Sequence, residues 1–216
     1  MERGYNVLLA DLPGMGLNTF RGVYVRPDTE VAVGACIDYL SGRGDVDPSR
    51  IAFYGGGEPG GWVAVRAAAR EPRIAACVAD PFVADSDAIL SVFHRPDVAA
   101  LSEGPQTVPG QAQQTARFYE GESGRGYARL VAEPQRIRCP LLCLNDPSDN
   151  EGLRRQAAAA VEAAPNPASR HRVFTPEDGT VLYRQIDNFS LKHRVMFDWL
   201  DKVLDRRRDA EFRRTR

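Results

Sequence analysis

Short apolar runs alternate with helix-period stretches along most of this chain. Residues 5–11, Tyr5-Asn6-Val7-Leu8-Leu9-Ala10-Asp11, predict a strand, and Leu12-Pro13-Gly14-Met15-Gly16 predicts the turn that follows. Residues 28–40 carry apolar positions at Val31, Ala35, Ile37, Tyr39 and Leu40 after an acidic start, which predicts a helix. A loop over 42–49 leads to the apolar run 51–54, which predicts a buried strand. Five glycines and Pro59 crowd into residues 55–61, and 62–69 then reads as a helix of small residues. Strands follow at 74–79, 140–145 and 170–175. Helices are predicted at 153–164, stopped by Pro165 and Pro167, and at 188–204, with Val195, Phe197, Trp199, Leu200 and Val203 on an apolar stripe.

Residues 81–126 break this rhythm with Pro96, Pro105, Pro109, Gly110, Gly121, Gly124 and Gly126. They read as a cap or lid insertion with short helices, one near 111–119. The domain reading is therefore a core of 1–80 and 127–205, a cap at 81–126 and a basic tail at 206–216. Strands alternating with helices predict an α/β fold, a mostly parallel sheet covered on both faces. Ligands of such sheets bind beyond the carboxyl ends of the strands. Asp11, the glycine turn, Asp80, residues 146–149 and the loop 178–187 all fall there.

Composition narrows the function. At 216 residues, 43% hydrophobic and 26% charged, the chain suits one globular domain with an insertion. A net charge of −1 gives no general attraction to nucleic acid or to a membrane surface. Of 28 basic residues only Lys192 and Lys202 are lysines. The arginines at 206–208 and 213–214 read as a solvated terminus. Cys36, Cys77, Cys139 and Cys143 lack metal-ligand spacing and lie far from histidine, so they read as buried thiols of a reducing compartment, with no metal site. No signal peptide and no apolar run near 18 residues is seen, and a cytoplasmic protein is expected. The glycine turn lacks the G-K-[ST] ending of a phosphate loop, and no ribose-binding acid follows it at dinucleotide spacing, so no cofactor is expected.

The ordered motifs resemble the α/β-hydrolase superfamily. Asp11-Leu12-Pro13-Gly14-Met15-Gly16 is similar to its D-x-P-G-x-G turn, and 51–64 to its nucleophile elbow, a strand, sharp turn and helix. Residues 71–80 and Gln185-Ile186-Asp187-Asn188, leading into 197–200, resemble the FrsA-like branch, which includes the C–C hydrolase of 2,6-dihydroxypseudooxynicotine. The resemblance implies a Ser–Asp–His triad in that chain order. This chain departs from it twice. Counting forward from the strand puts Gly57 at the serine place; counting back from the helix puts Glu58 there, the two differing by one residue, such as Pro59. Where the branch has H-C-Q-x-D-N, this chain has Tyr183-Arg184-Gln185-Ile186-Asp187-Asn188, with Tyr183 at the histidine place. Asp149 takes the acid place, after Asn145 and Asp146 where His-Gly is usual. His171 opens a strand, and His193 is expected to pack within its helix.

The candidate catalytic residues are thus Glu58, Asp149 and Tyr183. Gly57, Pro59, Asp11 and, from the cap, His94 are the expected substrate contacts. By the same resemblance the chain begins at the fold's fourth strand. A homo-oligomer or a further N-terminal segment is expected to cover the strand at 6–11, whose edge is otherwise unpaired. Three readings stand. One is an enzyme of altered chemistry acting on a small organic substrate: a lyase, cyclase, isomerase or C–C-cleaving enzyme, in secondary metabolism by analogy. Another is a conventional ester or C–C hydrolase using Glu58. The third is a pseudoenzyme kept for binding or assembly. Joint absence of serine and histidine argues against ordinary acyl transfer, because triad members act as a unit.

Overall fold

The computed structural model describes residues 3–84 and 132–204 apart from Gly22, Tyr24, Val25 and Pro27, with backbone alone at Thr19, Phe20, Glu58 and Tyr183. The cap expected at 81–126 lies almost wholly outside the described residues, as do its helix at 111–119, His94 and the tail at 206–216. The chain divides into two compact units, Met1–Pro48 with Asp85–Val131, and Ser49–Ala84 with Ala132–Arg216.

The first unit holds the turn at 11–18, the short helix α1 (Leu17–Phe20) and helix α2 (Thr29–Ser41). Asp11 shapes the turn. Its Oδ2 accepts from the Leu17 amide (3.0 Å), and Asn18 Nδ2 donates to the Asp11 carbonyl (2.6 Å). The predicted helix forms, but on a different face. Thr29, Val33 and Ile37, spaced by four, are buried, while Val31 and Tyr39 are exposed. The strand expected at 6–11 is not formed: residues 4–12 carry no strand, and Val7, Leu8 and Leu9 are exposed. An apolar run becomes a strand only where a ladder partner satisfies its backbone, and pattern alone does not supply one.

The second unit is a parallel sheet in the order β1 (Ala52–Gly56), β2 (Ala76–Asp80), β3 (Leu141–Asn145), β4 (Arg170–Val173). The strands sit within two residues of their predicted ends. β2 and β3, made mostly of Ala, Cys, Val and Leu, are buried along their whole length, as central parallel strands are. Three helices cover the sheet: α3 (Gly57–Arg70), α4 (Glu151–Ala163) and α5 (Phe189–Val203). The core collects Trp62, Phe82, Ile137, Leu141, Leu142, Leu144 and Phe174, all fully buried. α3 begins five residues earlier than its apolar pattern, so the glycine stretch is its own first turn. Gly55 lets it press onto β1, since a methyl there would overlap the Gly60 carbonyl and the Ala64 side chain.

Candidate active site

The turn from β1 into α3 is one residue deep. Gly56 is extended (φ −100°, ψ 145°), and Gly57, the first residue of α3, takes φ +75°. This left-handed conformation is unfavourable for any residue with a Cβ. Among the described residues a Cβ at Gly57 would meet nothing within 4 Å. Glu58 and Pro59 follow in the first turn of the helix, whose N-cap, Gly56, supplies no side-chain hydrogen bond. The positive φ thus falls at Gly57, the forward count from the strand, and the tip presents backbone and no side chain.

Asp149 lies beyond β3 and is almost completely buried. Its Oδ2 accepts from Asn145 Nδ2 (2.8 Å) and the Asp146 amide (2.9 Å). Because Asn145 gives its amide hydrogens to this carboxylate, its Oδ1 faces His171, whose Nε2 must then be the donor (2.8 Å). Asp146 folds the loop. Its Oδ1 accepts from the amides of Ser148 (2.7 Å) and Asp149 (3.1 Å) and from Ser148 Oγ (2.5 Å). Burial pushes the Asp149 carboxyl above its ordinary value; a guanidinium partner opposes the shift and the Asp146 charge adds to it. Burial likewise holds the His171 imidazole below its ordinary value.

That guanidinium is Arg184. Its Nη1 stands 3.3 Å from Asp146 Oδ2, 3.4 Å from Asp149 Oδ1 and 3.9 Å from Asp80 Oδ1. Asp80 ends β2 and has no exposure at all. Lys192, on the buried stripe of α5, donates to Asp80 Oδ2 (3.1 Å) and to the Arg184 carbonyl (2.8 Å). Tyr54 O–H also donates to Asp80 Oδ2 (3.0 Å). Burial first, then the neighbouring Asp80 charge, pushes the Tyr54 phenol well above its ordinary value, so it stays protonated. Three carboxylates and two cations therefore share one buried network; one unpaired ion there would be costly, and the mixture offsets it. Arg184 and Gln185 both take positive φ, 55° and 51°. Asp146 Oδ2 holds this backbone by accepting from the Arg184 amide (2.7 Å).

The expected residues are only partly gathered. Asp149 stands in the network, with Tyr183 one residue before Arg184 in a 3₁₀ turn, Tyr183–Gln185. Gly57, Glu58 and Pro59 lie at the end of β1. Asp11 belongs to the first unit and has its carboxylate engaged with its own turn. His193 stacks on Phe189 (5.8 Å between centroids) and meets Phe197 edge-on, on an exposed helix face. Arg184, Lys192, Tyr54 and Asn145 had not been expected at a site. Lys192 carried a signal: one of two lysines in the chain, it shares the spacing of Met196 and Leu200 on a face otherwise apolar. Among the described residues no group of His, Cys, Asp and Glu is arranged to hold a metal ion, and no helix is long and apolar enough to cross a membrane.

Known structures place this architecture. The 2,6-dihydroxy-pseudo-oxynicotine hydrolase superposes with a TM-score of 0.63 over 90% of this chain and 51% of its own, at 23% identity. The chain has the α/β-hydrolase fold. AbyA5 (TM-score 0.56, 19% identity, 92% of this chain and 56% of its own) and the α/β hydrolase GrgF from Penicillium sp. sh18 (0.52, 18%, 84% and 73%) share it. Sequence likeness to curated α/β-hydrolases and hydrolases is higher but local. The hydrolyase poxO of Penicillium oxalicum is 44% identical over 89 residues, 38% of this chain and 21% of that protein. The α/β hydrolase ucsC of an Acremonium species is 41% identical over 101 residues, 43% and 20%. The matches thus span about a fifth of the length of these relatives. No family model matches the chain. The turn at Gly57 leads from β1 into α3, and the loop holding Asp149 follows β3.

Proposed function

We propose that this chain is an α/β-hydrolase-family enzyme that works on a small organic substrate by acid–base chemistry without a serine nucleophile. The reaction is a lyase, cyclase, isomerase or C–C-cleaving step of secondary metabolism. The observation that carries this reading is the sharp turn from β1 into α3: its left-handed residue is Gly57, which can form no covalent intermediate. Glu58, the next residue, is the ionisable group closest in sequence to the tip and takes the acid–base role. Tyr183 is the second proton-handling residue. Asp149 holds Arg184 and through it the backbone next to Tyr183. Likeness to fungal proteins named hydrolase or hydrolyase supports a place among hydrolase-family enzymes, and the metabolic setting is by analogy.

A binding-only reading draws on one observation, the pairing of Asp149 with an arginine, which cannot act as a base. Short-chain p-nitrophenyl esters together with β-diketones and hydroxylated aryl ketones, followed by mass spectrometry, separate the readings. The expected result is product from the ketones and not the esters, abolished in Glu58→Gln at an unchanged melting temperature. Ester hydrolysis lost in Glu58→Ala would replace the proposal with a carboxylate-driven hydrolase. Ligand-induced melting shifts without product would replace it with binding alone.

A further inference from the structure

Tyr54 sits where the elbow meets the buried charge network. It is 44% exposed, although its hydroxyl is bonded to a carboxylate with no exposure. Side chains alternate along a strand, so Tyr54 and Gly56 share one face of β1, and Gly55, pressed under α3, lies on the other. A methyl on Gly56 would stand 2.8 Å from the Tyr54 hydroxyl, which places the phenol directly over the residue before the tip. The register pairs Gly56 with Asp80. The phenol oxygen, the start of the elbow and Asp80 therefore converge at one strand end. Asp80 Oδ2 takes both the Tyr54 hydroxyl and Lys192 Nζ. With its own proton committed to Asp80, the Tyr54 oxygen offers only lone pairs to anything lying over the turn.

We propose that Tyr54 is a catalytic residue of the elbow, accepting a proton from a substrate hydroxyl or a water over Gly56 and Gly57, with Asp80 and Lys192 as its positioning residues. As the hydroxyl attacks an electrophilic carbon, its O–H bond breaks and that proton bonds to the Tyr54 oxygen. The phenol's original proton crosses to Asp80 Oδ2. The negative charge leaves Asp80 and passes through the attacking oxygen to the substrate. Lys192 keeps its bond to the Arg184 carbonyl (2.8 Å) when Asp80 becomes neutral, so the network is not released. The substrate class is a small molecule with a hydroxyl set against its own carbonyl, or a carbonyl attacked by water. The inference rests on the reading of the elbow as a reactive site and adds a proton acceptor beside Glu58.

Its test needs no native substrate. Gly57→Ser introduces a hydroxyl at the open tip, and a fluorophosphonate reports whether a base activates it: the oxygen attacks phosphorus, fluoride leaves, and the proton passes to Tyr54. The expected result is labelling of the elbow peptide in Gly57→Ser and none there in the wild type. Adding Tyr54→Phe, which keeps the half-exposed ring, slows labelling by about 100-fold, within the range for loss of a positioned base. A folded Gly57→Ser variant that is not labelled, or one whose labelling survives Tyr54→Phe, overturns the proposal. Failure of the enzyme reading itself shows elsewhere, as absence of ketone turnover in the wild type.

Discussion

The elbow and the acid loop leave the same sheet two strands apart, and they hold their shapes by different means. The elbow is a backbone construction: a left-handed Gly57, a Gly55 that lets helix and strand touch, and a helix N-terminus without a side-chain cap. The acid loop is built of side chains. Asn145, Asp146 and Asp149 bind one another, and Arg184 and Lys192 arrive from distant sequence to balance the charge. A turn fixed by its backbone stays in place whatever its tip residue offers. A buried carboxylate does not, because its charge must be matched by a partner. The lesson is that a backbone turn keeps its geometry with no side chain at its tip, while buried carboxylates depend on cations brought from elsewhere in the chain.

The comparison breaks first at Arg184. Arg184→Met should destabilise the fold by about 3–5 kcal/mol, lowering the melting temperature by roughly 10 °C or more, since three buried carboxylates would keep only Lys192. The pH dependence has a definite sign. The Asp149 pKa in the fold lies above its unfolded value, so this group favours the folded state at low pH, and the contribution is lost as pH rises through the folded pKa. Removing the guanidinium that opposes the shift raises that pKa further. The deficit of the variant should therefore shrink between pH 8 and pH 5, read from urea midpoints. A deficit that does not change with pH would mean Arg184 acts by packing rather than by charge.

Within the elbow, the sharper test compares two glycines. Gly55→Ala forces a methyl into the Gly60 carbonyl and should cost about 3 kcal/mol, the upper end for overpacking, because backbone cannot step aside. Gly57→Ala meets no neighbour among the described residues and bears its positive φ, roughly 1 kcal/mol. Urea midpoints of the two variants should fall in that order; the reverse order would place the strain of the turn at Gly57 and not at the helix–strand contact.

Most of the sheet and its helices were legible in the sequence because apolar runs and 3.6-residue stripes report local burial directly. Residues 52–56, 76–80, 141–145 and 170–173 all lie within the predicted strands or one or two residues beyond them. What failed was non-local. The run at 5–11 has the composition of a strand, but a strand also needs a ladder partner. Motif order pointed to the glycine turn and to Asp149, which the fold places at the end of β1 and in the buried charge network. Arg184 could not: in sequence it fills a cysteine place beside Tyr183, and only the fold brings it to carboxylates 38 and 35 residues before it and to Asp80. Tyr54 was hidden for the opposite reason, since it lay inside an apolar run and read as core, yet it is 44% exposed.

The smallest effect separates the two helix starts. α4 leaves the acid loop with Asn150 as its N-cap, whose Oδ1 accepts from the Leu153 amide (2.9 Å). α3 leaves the elbow behind Gly56, which has no side chain to offer. Asn150→Ala should cost about 1 kcal/mol, or 2–4 °C, by releasing that amide. The same loss cannot be produced at Gly56, which has no side chain to remove. The acid loop caps its helix with a side chain, and the glycine turn does not. If Asn150→Ala proves silent, capping does not distinguish the two termini, and the difference between them rests on the turn geometry alone.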